Sequence, residues 1–285
     1  MIIDTHIHYY DPDRPEGVPW PPMDSPLFRR VLPDEFRANA NACGISGVVI
    51  VEASEWVEDN EWLLRLVHDD PTALGIVGRL DLTDDRFPAQ IERFAADPLF
   101  RGIRLNGQEM TDPMRTPQFR EHVAEVARRD LALDLNVGPD LLDHMMQVAE
   151  TLPDLRIVVD HMGGSSQSDG RPDSLRRETL RRLSARPNVY CKLSGFVEAA
   201  SKHHDPVPQD PAYYRPAFDV LLEIMGPHRL LYASNWPVSA LVAPYQTVFH
   251  VLEAWVEGLD AVTRGAVQQG NAVRAYRLNP EAAGA

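Results

Sequence analysis

The sequence has 285 residues and a formal net charge of −14, from 28 basic and 42 acidic residues. This acidity argues against nucleic acid and anionic membranes as main partners, since both select basic patches, and no apolar run is long enough to span a bilayer. Cys43 and Cys191 are too few for a disulfide framework and the first residues show no secretory signal, so we expect a cytoplasmic protein.

Eight short runs rich in Val, Ile and Leu, bounded by Gly, Pro or polar clusters, predict β-strands. In chain order they are Ile2–His8, Gly47–Ala53, Leu74–Leu82, Arg101–Gly107, Ala132–Val137, Arg156–His161, Asn188–Gly195 and Arg229–Pro237. Most of these runs are continuously apolar rather than alternating, which is typical of strands buried on both faces of a parallel sheet.

Segments with helical periodicity separate these strands. They are Asp34–Cys43, Asn60–Asp70, Phe87–Ala96, Thr116–Arg129, Pro139–Thr151, Ser174–Ala185, Tyr214–Met225 and Tyr245–Val256, followed by an extra helix, Ala261–Tyr276. Strand then helix, repeated eight times, predicts a single-domain (β/α)8 TIM barrel of the α/β class over residues 1–278, with a disordered tail over 279–285. An open doubly wound sheet is the structural alternative.

Two long loops leave the carboxyl ends of predicted strands, Tyr9–Pro33 after the first and Phe196–Tyr213 after the seventh. Loops of this length are usually functional or disordered, and barrel enzymes keep their chemistry at this end of the strands. We therefore predict that both loops form pocket walls or lids. A surface insertion without function is the alternative.

Three histidines end predicted strands on the same rim. His6 and His8 are two residues apart, so they face one side of the first strand, and His161 ends the sixth. Imidazoles grouped in this way can bind a metal ion or stabilise a developing oxyanion. The sequence therefore predicts that His6, His8 and His161 form the catalytic centre, and that they are the ligands if a metal ion is bound.

Asn235 and Trp236 lie where the eighth predicted strand meets its loop. Asn235 is predicted to be a site residue at this position of the rim. Trp236 offers a flat apolar wall with one hydrogen-bond donor, so it is predicted to pack against a substrate ring. A core aromatic is the equally weighted alternative for Trp236.

Four further polar residues on predicted strands are candidates for substrate binding: Glu52, Arg104, Asn136 and Lys192. The guanidinium fork of Arg104 suits a carboxylate or a polarised carbonyl, or an ion pair with an interior acid such as Glu52. A lysine inside a barrel strand must be paired. Lys192 therefore meets either a substrate carboxylate, the reading we favour, or an interior Asp or Glu.

Four motifs carry a family resemblance: DTHIH at residues 4–8, VVDHMGG at 158–164, NVYCKLSG at 188–195 and LYASNWPV at 231–238. In this order, across essentially the whole chain, they resemble the amidohydrolase superfamily, and within it the L-fuconolactonase-like branch of sugar-lactone and 2-pyrone-4,6-dicarboxylate lactonases. The resemblance implies a (β/α)8 barrel and a carboxylic ester hydrolase that opens a lactone to the hydroxy acid. It also implies that no cofactor is required, although zinc can bind.

The sequence departs from this pattern at Asn235, where the resemblance implies an aspartate that acts as general base. An amide cannot take up a proton at neutral pH. Three explanations stay open: an introduced Asp→Asn change, a natural protein in which another group such as His161 activates water, or loss of hydrolysis. Because superfamily metal sites often include that carboxylate, the departure also weakens the prediction of a metal.

The sequence thus predicts direct attack of water on a small-molecule lactone, either of a sugar acid or carboxylated, within carbohydrate metabolism. Two alternatives stay open. One is a metal-dependent decarboxylase or amide hydrolase of the same superfamily, and the other is a barrel that binds a sugar acid without catalysis. We expect a monomer or a small homo-oligomer.

Overall fold

A parallel eight-stranded sheet forms the centre of the protein in the computed structural model, which describes residues 1–107, 116–136, 138–164 and 171–279, without the side chains of 139–141, 143 and 144. The strands are β1 (Ile2–Ile7), β2 (Ile45–Val51), β3 (Ala73–Gly78), β4 (Phe100–Asn106), β5 (Ala132–Asn136), β6 (Arg156–Val159), β7 (Val189–Leu193) and β8 (Leu230–Tyr232). They pair in sequence order from β1 to β8. The predicted (β/α)8 barrel is therefore confirmed, and the open doubly wound sheet is excluded.

Helices follow the strands as the sequence predicts, several with proline in the first turn, where its missing N–H costs nothing. They are α1 (Pro33–Cys43), α2 (Asp59–Leu66), α3 (Phe87–Ala95), α4 (Pro117–Arg128), α5 (Pro139–Thr151), α6 (His161–Gly164), α7 (Ser174–Ser184), α8 (Phe196–Ser201), α9 (Pro211–Met225), α10 (Tyr245–Val256), α11 (Ala261–Gly265) and α12 (Asn271–Tyr276). Side-chain caps stabilise some starts: Thr116 accepts from the Phe119 N–H, and Asp173 from the Arg176 N–H.

The barrel closes through irregular backbone after β8. The Asn235 N–H donates to the carbonyl of His6 and the His8 N–H to the carbonyl of Trp236, both at 2.9 Å. The predicted eighth strand, Arg229–Pro237, is therefore too long. Asn235 has a φ of 61°, which interrupts the extended backbone and directs the residue toward the rim.

The last helical segment closes the opposite end of the barrel. The predicted helix Ala261–Tyr276 is interrupted by a π-helical turn, Ala266–Gly270. Tyr276 and Ala275 then pack with Val49 and Val158, residues of the strands, in a buried core inside the barrel. Of the predicted disordered tail, residues 280–285 lie outside the described part of the chain, as does Val137 at the predicted end of the fifth strand.

The predicted loop Phe196–Tyr213 is in part helical, because α8 begins at once after β7 and α9 already starts at Pro211. The glycine between β7 and α8, Gly195, has a φ of 79°, a conformation that favours glycine. Within the described ranges, no helix combines the length and the apolarity that crossing a bilayer requires.

Candidate active site

A cleft of about 380 Å³ opens at the carboxyl end of the strands. It is lined by His8, Pro19, Trp20, Glu52, Ala53, Ser54, Glu55, Arg104, Asn106, Asn136, His161, Asn235 and Val238. Six of these residues are among the predicted site residues, and the first long loop supplies Pro19 and Trp20. The structure thus brings together strand ends that are far apart in sequence at the end of the barrel where barrel enzymes keep their chemistry.

The three predicted histidines converge beneath this cleft. The ring of His6 lies 4.9 Å from that of His8 and 4.6 Å from that of His161, between centroids. The backbone φ of His161 is 50°, and the left-handed turn continues through Met162 and two glycines. A Cβ on Gly195 would lie 2.9 Å from the His161 Cβ, so glycine there lets the imidazole reach its position.

The ring of His6 is fully buried and is oriented by Lys192, whose ammonium lies 3.1 Å from Nδ1. An acceptor, Asp160, also lies 3.5 Å from Nδ1, but the ammonium is nearer and can only donate. We therefore assign Nδ1 as the acceptor and the ring proton to Nε2. Burial and the Lys192 charge lower the pKa of His6 well below its ordinary value, so the ring is neutral at pH 7. Within the described structure Nε2 is buried without a partner. His6 therefore offers an unsatisfied N–H donor.

His8 has the opposite tautomer. Its Nδ1 lies 2.9 Å from the carbonyl oxygen of Val51 and 3.1 Å from that of Glu52. Carbonyl oxygens only accept, so Nδ1 carries the proton and Nε2 keeps its lone pair. Burial and the nearby Arg104 lower the pKa of His8 to about 3. At neutral pH His8 is thus neutral, and its Nε2 can accept a hydrogen bond.

His161 stands against the hydroxyl of Ser194, at 2.9 Å from Nδ1 to Oγ. A serine hydroxyl can donate or accept; we assign donation by Ser194, which places the N–H of His161 on Nε2. Burial, which outweighs the opposing charge of Asp160, lowers the pKa of His161 to about 4. His161 therefore joins His6 as a neutral donor.

Lys192 does not line the cleft, and the predicted contact with a substrate carboxylate is wrong. Its ammonium is fully buried and lies 2.5 Å from Asp134 and 3.0 Å from Asp160. The hydroxyl of Tyr276 donates to the same Asp134 carboxylate. Burial alone would raise the pKa of Asp160, but Lys192 outweighs it and holds that pKa well below its usual range. The alternative prediction for Lys192, an ion pair with an interior Asp or Glu, is the observed one.

The walls of the cleft present paired polar groups. Arg104 donates from Nε to the carboxylate of Glu52 at 2.8 Å, so its charge is neutralised by an ion pair, as the sequence alternative foresaw. Asn136 donates to the side-chain oxygen of Asn106 at 3.1 Å. Arg104, Glu52 and Asn136 therefore line the predicted cleft, where hydroxyl groups of a ligand can meet them.

Trp236 is a core residue, so its predicted contact with the substrate ring is also wrong. Its side chain is 2% exposed and packs against Phe36, with ring centroids 5.1 Å apart, and against Tyr9. The aromatic wall of the cleft is supplied instead by Trp20, whose ring lies 6.0 Å from that of His8. Sequence periodicity does not indicate that Trp20 takes the place of Trp236 in the cleft wall, because Trp20 lies in a proline-rich loop.

Asn235 lines the cleft as predicted, in a left-handed conformation that Asn tolerates better than most residues. Its Nδ2 donates to Oε1 of Glu198 on α8, at 2.7 Å. Burial raises the pKa of Glu198 to about 7, against the hydrogen bond from Asn235. Sequence reasoning missed Glu198, and a carboxylate in the apolar run FVEAA was the available signal.

A barrel with a histidine cluster at the carboxyl ends of its strands defines a hydrolase-type site, and the comparisons assign the family. The Amidohydrolase family model matches residues 3–278, so the chain belongs to that family. The chain is similar to the L-fucono-1,5-lactonase of Burkholderia ambifaria, with 32% identity covering 97% of this chain and 96% of the relative. It is 31% identical to the L-fucono-1,5-lactonase of Burkholderia multivorans, covering 100% and 98%. The predicted resemblance is confirmed.

A solved structure supports the same relationship. An amidohydrolase from Burkholderia multivorans with bound Zn superposes with a TM-score of 0.87 at 28% identity, covering 98% of this chain and all of that one.

The structure groups a different set of potential metal ligands from the predicted three histidines. Ligand atoms of His6, Asp160 and His161 lie within 4.8 Å of one another, close enough to hold a metal ion, with Asp160 in the place of His8. Lys192 lies 3.1 Å from His6 Nδ1 and 3.0 Å from Asp160, so a cation bound here would lie close to an ammonium.

Proposed function

We propose that this protein hydrolyses the lactone of a sugar acid to the hydroxy acid, as a carboxylic ester hydrolase. The observation that carries the proposal is the convergence of three buried imidazoles, His6, His8 and His161. We assign His6 and His161 as neutral N–H donors and His8 as the neutral acceptor beside them. Ester hydrolysis needs both functions, one for the oxyanion and one for the proton of water. The lactonase names of the similar proteins support the same reaction.

In the proposed reaction the lactone carbonyl lies against the Nε2 donor of His161, which lines the cleft, while His6 is buried beneath it. Water attacks the carbonyl carbon and gives its proton to Nε2 of His8, while the N–H of His161 binds the oxyanion. The acyl–oxygen bond of the ring then breaks. The imidazolium of His8 returns the proton to the departing ring oxygen, which becomes the hydroxyl of the product.

The charges of the cleft favour a neutral, hydroxyl-rich substrate. Arg104 is the cation of the described lining, and Glu52 already pairs with it. Glu55 adds a negative charge on the same wall. A second carboxylate on the substrate would be desolvated here without a partner, which is costly. Of the two lactone classes that the sequence left open, we therefore propose the sugar-acid lactone.

A matched pair of lactones tests this function. We expect an aldonolactone with a terminal CH2OH to be hydrolysed with a kcat/KM about tenfold or more above that of the same ring carrying a carboxylate, a difference of about 1.4 kcal/mol. Acid release is followed with a pH indicator. The proposed function would be refuted if no sugar lactone were turned over and mass spectrometry detected no hydroxy-acid product.

Removal of metal should leave this activity unchanged, because no step uses a metal ion. We expect protein dialysed against a chelator, with metal content checked by elemental analysis, to retain its kcat. A metal-dependent decarboxylase or amide hydrolase, the alternative reaction, would lose activity in the same experiment. Loss of turnover restored by zinc would contradict the tautomer assignment.

The cytoplasmic location, the role in carbohydrate metabolism and the monomer or small homo-oligomer stay predictions from the sequence. The absence of a required cofactor is part of the proposal.

A further inference from the structure

Glu198 makes a contact that the proposed reaction does not yet use. The helix α8 begins directly after β7 and carries this carboxylate behind Asn235, with 2.7 Å between Asn235 Nδ2 and Glu198 Oε1. Glu198 Oε2 is buried and has no partner among the described residues. An acid on α8 therefore lies one side chain away from the cleft, behind Asn235, which occupies the position where the family pattern implies an aspartate.

The contact decides which end of the Asn235 amide faces the cleft. A carboxylate only accepts hydrogen bonds, so an ionised Glu198 holds Nδ2 and leaves the carbonyl oxygen Oδ1 for a ligand. Attacking water must direct its lone pair at the lactone carbonyl, which requires acceptors for its two protons. Oδ1 of Asn235 and Nε2 of His8 are two such acceptors on the cleft lining.

We propose that Glu198 is a positioning residue, which holds the Asn235 amide with its carbonyl oxygen toward the cleft so that Asn235 orients the attacking water. This inference rests on the proposed hydrolysis. The Glu198–Asn235 pair divides the work of a single aspartate: Asn235 touches the water, Glu198 sets the amide orientation, and His8 takes the proton.

The pair also responds to pH. With a pKa of about 7, raised by burial, Glu198 is ionised above this pH and protonated below it. A protonated Glu198 can donate to Oδ1, which turns the NH2 group toward the cleft and removes the acceptor for water. Among the described residues, Tyr214 on α9 interacts electrostatically with Glu198; burial raises the pKa of Tyr214, so it stays neutral. Below pH 7 we therefore expect kcat to fall by up to about tenfold per pH unit.

Substitutions of Glu198 test the effects on kcat that this proposal predicts. We expect Glu198→Gln, which cannot titrate, to lose the acid limb of kcat, and Glu198→Leu, which cannot anchor the amide, to lower kcat about 10²-fold with KM little changed. Glu253→Gln is the matched control, because Glu253 accepts from the Gln268 amide away from the cleft. A wild-type acid limb that persists in Glu198→Gln, or a kcat in Glu198→Leu equal to that of the control, would overturn the proposal.

A measurement without substrate separates this inference from the proposed function. In protein labelled with 15N-asparagine, the Asn235 side-chain amide, assigned by its absence in Asn235→Asp, should titrate with a midpoint near pH 7. The titration should disappear in Glu198→Gln and persist in Glu253→Gln. A side-chain amide that does not titrate refutes the inference whatever the enzyme assay shows, and a titrating amide in a protein without lactonase activity refutes only the function.

Discussion

Replacement of His161 by alanine is expected to lower kcat about 10²–10³-fold, the loss seen when one oxyanion donor is removed. The imidazole lies 4.6 Å from the ring of His6 and is held by Ser194, so its N–H is fixed before substrate arrives. A donor oriented in advance acts mainly on the transition state. KM should therefore change much less than kcat.

The control for His161→Ala is His122→Ala. His122 is also buried, stacks on Phe87 and bonds to the carbonyl of Leu82, but it does not line the cleft. Stopped-flow or indicator assays of both variants, with thermal unfolding recorded in parallel, separate lost chemistry from lost packing. Equal kcat values for His161→Ala and the wild type would contradict the assigned role.

Replacement of Lys192 by methionine is expected to lower the free energy of unfolding by about 3–5 kcal/mol, the cost of leaving a buried charge without its partner. Asp134 and Asp160 would then face each other without the ammonium between them. His6 would also lose the donor that fixes its tautomer, so kcat should fall in the molecules that remain folded.

Urea unfolding measures this effect, and the sequence provides a matched control. The chain contains two lysines, and the other, Lys202, is exposed. Lys202→Met should leave both stability and activity unchanged. Adding Asp134→Asn to Lys192→Met should restore part of the lost stability. Identical urea midpoints for Lys192→Met and Lys202→Met would show that the buried ion cluster contributes nothing.

The fold and much of the cleft could be predicted because their signals are local. Continuous apolar strands alternating with amphipathic helices define a barrel, and strand-end residues such as His6, His8 and His161 must then share one rim. The period of two in a β-strand also places His6 and His8 on one side. The ends of strands were misjudged, as at Asn235, where a left-handed residue interrupts β8, and so were the helices within the loop Phe196–Tyr213.

The wrong predictions and the missed residue share a different cause, because they depend on which partner each side chain contacts across the barrel. Lys192 had two chemically acceptable partners, a substrate or an interior acid, and only the positions of Asp134 and Asp160 decide between them. Trp20, rather than Trp236, lines the cleft because of the packing of a loop that has no periodicity. Glu198 matters because α8 begins without a loop after β7, a detail that composition does not encode.

The central claim is that three neutral imidazoles surround the position of the reacting carbonyl. A structure of the metal-free protein with the sugar-acid product bound tests it most directly. We predict one product carboxylate oxygen within about 3.2 Å of Nε2 of His161, an ordinary hydrogen-bond distance, with the sugar hydroxyls toward Arg104 and Asn136. A product bound away from this nitrogen, or bound only through a metal ion, would contradict the claim.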